Sequence, residues 1–129
     1  MSHSKFSILI VEDDSRVSRV IHHHLEKAFP NIRAEIAGSA ARAKQICEKF
    51  PPTVIIWDGA PDEHGTQEEY IGCIPNDLWK RVIPISFDPA ILEIAQQRGA
   101  QPPLPKKNGA VNTWSEEIVQ RIRSLVSKK

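Results

Sequence analysis

Val54-Ile55-Ile56-Trp57 is apolar at every position and β-branched at the first three. A strand with no polar alternation has no face to give to water, so it belongs in a parallel sheet covered by helices on both sides. Phe6-Ser7-Ile8-Leu9-Ile10-Val11 is a second run of this kind, and Val82-Ile83-Pro84-Ile85-Ser86 a third, although Pro84 removes one ladder donor. Between these runs the apolar spacing turns helical. Strand and helix alternate five times, which predicts an α/β fold whose parallel strands are joined by helical crossovers on both faces.

The helical segments read as follows. After Asp14, a helix cap or structural acid, and Ser15, which can also cap, Val17, Val20, Ile21, Leu25, Ala28 and Phe29 recur at helical spacing until Pro30 and Asn31. Residues 33–37 predict a short strand, with Ile36 its clearest apolar residue. A helix over 40–50 carries Ala43, Ile46, Cys47 and Phe50 as its stripe and stops at Pro51-Pro52; the strand over 53–58 follows, then a loop over 59–65. The stretch 66–81 is the least regular: a helix around 67–71 and a turn around 77–80, separated by Gly72 and Pro75. Pro89 suits the first turn of a helix running to about Arg98, with Gly99 as its stop. Residues 101–106 predict a last strand, and their three prolines put it at an edge. Asn112 or Thr113 would cap a final helix with Ile118, Val119, Ile122, Leu125 and Val126 on one face, Glu116 and Glu117 in its first turn and basic residues in its last.

The totals narrow the function. A length of 129 residues suits one domain, and a formal net charge of +1 gives no field that argues for nucleic acid. Arg121, Arg123, Lys128 and Lys129 read as a solvated helix face. Cys47 and Cys73 do not make a disulfide framework. The first apolar run is too short for a signal peptide, and nothing approaches the roughly 18 apolar residues of a membrane span. A soluble, cytoplasmic chain without direct nucleic-acid or membrane contact is expected. His22-His23-His24 would splay around a helix and share no ligand face. Trp57 reads as core, and Trp79 and Trp114 as partly buried.

Both leading strands end on acids: Val11 runs into Glu12-Asp13-Asp14, and Trp57 into Asp58. In an open parallel sheet, sites form outside the carboxyl ends of the strands. If these strands are neighbours, Glu12, Asp13 and Asp58 share one crevice. Two carboxylates about 4 Å apart repel by about 4 kcal/mol at an effective dielectric near 20. Such a cluster wants a hard cation with oxygen ligands, Mg2+ first. Ser86 ends the fourth strand and Lys106 the fifth. With these groups Asp58 would attack a phosphoryl group and hold it as an acyl phosphate, while Lys106 and Ser86 bind its oxygens.

Taken together, Ile8 to Asp14 with the acid pair Glu12 and Asp13, Val54 to Asp58, Ser86, and Lys106 seven residues after Gly99-Ala100 resemble the receiver (CheY-like) domain of two-component response regulators. The resemblance covers residues 8–129 and treats 1–129 as a single receiver-like domain. It implies a flavodoxin-like (βα)5 sheet of order 2-1-3-4-5. It also implies a non-enzymatic phosphoacceptor module: Asp58 as phosphoacceptor, Ser86 and Lys106 as phosphate ligands, and Mg2+ on Glu12, Asp13, Asp58 and the Ala60 carbonyl. Mg2+-dependent self-phosphorylation and autodephosphorylation would accompany that role. The implied partners are a histidine kinase or histidine phosphotransfer protein and a downstream protein target; whether the active form is a homodimer is not readable from the residues.

The chain departs from the family pattern in several places. Pro61 and Gly65 come one residue early after Asp58, shortening the loop that carries Ala60. Phe87 replaces a small residue and could act as a lid over the crevice. Pro102, Pro103 and Leu104 stand where a switch aromatic is usual, and Lys106-Lys107 where Lys-Pro is, with Lys107 competing for the phosphate role. These departures support an alternative, a pseudo-receiver that binds its partner without phosphorylation; another is a receiver fragment of a longer regulator. A small phosphohydrolase would want an acid two residues after Asp58, where Ala60 stands. Asp88 could orient water toward the acyl phosphate.

Overall fold

The computed structural model describes residues 6–59, 65–105 and 111–127. In chain order these form β1 (Ser7–Val11), α1 (Ser15–Ala28), β2 (Arg33–Ala37), α2 (Ala40–Lys49), β3 (Val54–Trp57), α3 (Gln67–Gly72), a 3-10 turn (Asn76–Arg81), β4 (Val82–Ser86), α4 (Pro89–Gln97), β5 (Leu104–Pro105) and α5 (Val111–Ser127). The strands lie in the order β2-β1-β3-β4-β5, every pair parallel. The expected α/β architecture and strand order are what the chain adopts.

Side chains alternate across the strands and build a core on each face. Leu9, Val11, Ile55, Trp57 and Val82 meet α2, α3, the 3-10 turn and α4 on one side. Ile8, Ile10, Val54, Ile56, Ile83 and Ile85 meet Ile21 and Leu25 of α1 and Ile118, Val119 and Ile122 of α5 on the other. The central strands are buried at every position from Ile8 to Val11 and from Val54 to Trp57, as their uniform apolarity requires.

Several local details correct the sequence reading. The cap of α1 is Asp14, whose Oδ1 accepts from the Arg16 N–H at 3.0 Å; Ser15 is already helical. Phe50 is not part of the α2 stripe but follows the helix at 65% exposure, with the Arg33 guanidinium 5.9 Å from its ring centroid. Trp79 is fully buried, not partly, and stacks edge-on against Trp57 with centroids 5.1 Å apart. The last strand shrinks to two residues, because prolines deprive it of ladder donors. The last helix begins at Val111, so Asn112 and Thr113 lie inside it, and neither Glu116 nor Glu117 is in its first turn. Among the described residues no basic residue falls in its last turn. The Trp114 side chain, Lys128 and Lys129 lie outside the described residues. Gly99, at φ 93°, stops α4 as its position predicted.

Candidate functional site

Parallel registration brings the acidic strand ends level. Val11 lies opposite both Ala37 and Trp57. The ladder runs one rung further: the Glu12 N–H donates to the Ala37 carbonyl at 3.2 Å, and the Asp58 N–H to the Val11 carbonyl at 3.0 Å. Each acid is therefore fixed through its backbone by a neighbouring strand. Glu12 is 2% and Asp58 5% exposed, and Asp13 is partly buried. Glu12 Oε2 accepts from the Asp14 N–H at 3.3 Å, which ties the acid pair to the start of α1. Asp14 itself serves the helix. Burial works against its charge, but the hydrogen bonds and charge of Arg16 prevail and hold the carboxyl below its ordinary range.

Ser86 closes β4 and is 1% exposed. Trp57 lies opposite Pro84, so the register carries Ser86 to one rung beyond Asp58. Its Oγ accepts from the Asp88 N–H at 3.0 Å, and Asp88 Oδ1 accepts from the Ala90 N–H at 3.0 Å as the cap of α4. The Asp88 carboxylate thus caps α4. Phe87, which follows Ser86 in the chain, is 63% exposed. Ala60, Pro61, Lys106 and Lys107, implied for the metal loop and the phosphate, lie outside the described residues.

The donor set fits a hard cation of one kind. Among the described residues no three His, Cys, Asp or Glu side chains close into a metal cage. Two buried carboxylates and a partly buried one stand instead at the carboxyl ends of the two central strands. Mg2+, which keeps several waters and takes one or two carboxylates, suits such an open set.

Sequence reasoning missed Tyr70. It is 1% exposed on α3, and its hydroxyl has no hydrogen-bond partner among the described residues. Burial first, then the charges of Asp13, Cys73, Glu12 and Asp58, push its pKa up to about 12. The helix that presents it starts with a reciprocal cap: Thr66 Oγ1 accepts from the Glu69 N–H at 3.1 Å, and Glu69 Oε1 from the Thr66 N–H at 2.7 Å. The spacing Thr66-x-x-Glu69 was the available signal for that helix start. His22, expected only as part of a surface run, places Nε2 3.0 Å from the Ala34 carbonyl and so braces α1 on β2.

No protein-family model matches the sequence, and no curated protein matches it; the likeness lies in structure. The signal receiver domain of a DNA-binding response regulator (merR) from Colwellia psychrerythraea 34H superposes with a TM-score of 0.69 at 20% identity, covering 95% of this chain and 98% of that one. The response regulator domain of Thermotoga maritima CheB gives 0.71 at 20% identity over 92% and 94% of the two chains. Chemotaxis response regulator CheY4 of Vibrio cholerae gives 0.70 at 18% identity over 92% and 99%. The fold is that of a response-regulator receiver domain. In this receiver fold Glu12, Asp13, Asp58 and Ser86 stand at the carboxyl ends of three adjacent strands. No helix among the described residues is long and apolar enough to cross a membrane.

Proposed function

We propose that the chain is a phosphoacceptor signalling module of a two-component phosphorelay, phosphorylated on Asp58 with Mg2+. The observation that carries this reading is the buried Asp58 beside the buried Glu12 at adjoining strand ends, with Ser86 one rung away. A carboxylate oxygen of Asp58 attacks the phosphorus of a phosphohistidine. The new P–O bond forms as the P–N bond breaks, and the imidazole takes a proton as it leaves. Glu12 and Asp13 would hold Mg2+ together with Asp58, and the ion would supply neutralising charge on the transferring group. The Ser86 hydroxyl accepts from the Asp88 amide, which leaves its own proton to donate to a phosphoryl oxygen. Since Asp88 caps α4, any movement of Ser86 reaches that helix, and the output is the binding of a downstream protein. The reading extends to Lys106 as the second phosphate ligand, the Ala60 carbonyl as a metal ligand, a histidine kinase or phosphotransfer protein as donor, and a cytoplasmic setting.

The test is incubation with acetyl phosphate and Mg2+, followed by intact mass. The parent chain gains one phosphoryl group and Asp58→Ala gains none. The exposed Phe87 favours a second reading, a scaffold that binds its partner without phosphorylation. That reading predicts no gain in either protein.

A further inference from the structure

Tyr70 is the only tyrosine in the chain. It belongs to the buried cluster that includes Val11, Trp57 and Cys73, the first two being the residues that immediately precede the acids. Its backbone is pinned in turn: the Tyr70 carbonyl accepts from Trp57 Nε1–H at 2.9 Å and from the Cys73 thiol at 3.1 Å. The ring cannot swing away without breaking that packing. Yet the hydroxyl at its tip has no partner among the described residues, although the residue is 1% exposed. An orphaned buried hydroxyl costs free energy, and one held in place marks a partner that arrives later. The surroundings say what kind. Trp57, bonded to the Tyr70 carbonyl, lies directly beneath Gly59, the residue after Asp58, and the charges of Asp13, Glu12 and Asp58 reach the phenol. A neutral hydroxyl beside three carboxylates can accept from the polarised water of a cation and turn its proton to a carboxylate oxygen.

We propose that the Tyr70 hydroxyl anchors a water bound to Mg2+ on the Asp13 side of the acidic cluster, which makes Tyr70 a positioning residue of the metal site. This rests on the reading of Glu12, Asp13 and Asp58 as Mg2+ ligands and adds to it a group from α3. Such an outer-shell partner fixes the coordinated water and so selects the orientation of the ion.

Tyrosine labelled with 13C at Cζ gives the full chain a single reporter. On titration with Mg2+ alone, that resonance moves and saturates with the affinity found by calorimetry. Tyr70→Phe binds Mg2+ about tenfold more weakly. Its thermal midpoint without Mg2+ is unchanged or raised, because only an unpaired hydroxyl has been removed. If Tyr70→Phe binds Mg2+ as tightly as the parent, or the resonance stays still while Mg2+ binds, the role of Tyr70 is overturned and the metal site stands. If the parent chain binds no Mg2+, the metal reading falls and this proposal with it.

Discussion

The sheet is covered on one face by a buried cluster that is aliphatic throughout, from Ile8 and Ile10 to Ile21, Leu25, Ile118 and Ile122. On the other face Trp57, Tyr70, Trp79, Cys47 and Cys73 are buried together. The first cluster asks only for volume and shape. The second also carries polar atoms whose partners matter: a Trp57 indole N–H bonded to the Tyr70 carbonyl, and the unpaired Tyr70 hydroxyl and Trp79 Nε1. Its Tyr70 phenol feels the charges of Asp13, Glu12 and Asp58, and its Trp57 lies directly beneath Gly59, the residue after Asp58. Burial shuts its other chemistry: it is the main cause that raises the Cys47 and Cys73 thiols to about 11 and about 12. What separates the two faces is that one holds the sheet together and the other also holds the site.

The strongest challenge to that division uses neighbouring residues of β3. Trp57→Ala should cost about 4 kcal/mol and weaken Mg2+ binding, because both α3 and Gly59 lose their support. Ile56→Val, on the aliphatic side, should cost about 1 kcal/mol and leave Mg2+ affinity unchanged. Urea unfolding and calorimetry read both; equal effects on Mg2+ affinity would erase the distinction. A smaller effect is expected at Gly59→Ala. A Cβ there would stand 2.2 Å from Trp57 Cη2, and the buried indole cannot retreat. Overpacking should cost about 2 kcal/mol and displace Asp58, lowering phosphoryl uptake in the mass assay.

The smallest effect belongs to Asp14→Ala, a cap outside both cores, at about 1 kcal/mol near neutral pH. The sign with pH follows from its lowered pKa in the folded chain. The contribution is present above the ordinary carboxylate range and is lost as pH falls through the folded value. Urea midpoints of parent and variant should therefore converge on acidification, and a constant gap would show that the Asp14 charge is not involved.

Legibility followed the physics that each residue answers to. β4 was read to the residue, and β3 to within one at each end, because β-branched apolar runs have few other homes; β2 was also read to the residue, although only Ile36 is clearly apolar in it. The acids and Ser86 were legible because a strand end is a definite place once the sheet order is known. Phe50 misled because an aromatic at the end of a stripe fits a core pattern as well as an exposed stack on Arg33. The Tyr70 hydroxyl was hidden for the opposite reason. Its ring obeys the core pattern, and only the packing of α3 against Trp57 reveals that the tip is buried beside the acids. The start of α5 was misplaced because its apolar face says where a helix packs, not where it begins.

The two-residue β5 has a consequence for the free protein in a crowded solution. Among the described residues its register with β4 pairs Ile85 with Leu104 and Ser86 with Pro105, with Pro102 and Pro103 just ahead. Prolines have no amide hydrogen, so this rim offers an incoming strand little to copy. At the opposite rim β2 presents Arg33 and Glu35, whose side chains approach to 3.6 Å. Both ends of the sheet are thereby blunted against strand-by-strand polymerisation, and the irregularity that shortens β5 serves as a guard against fibre growth.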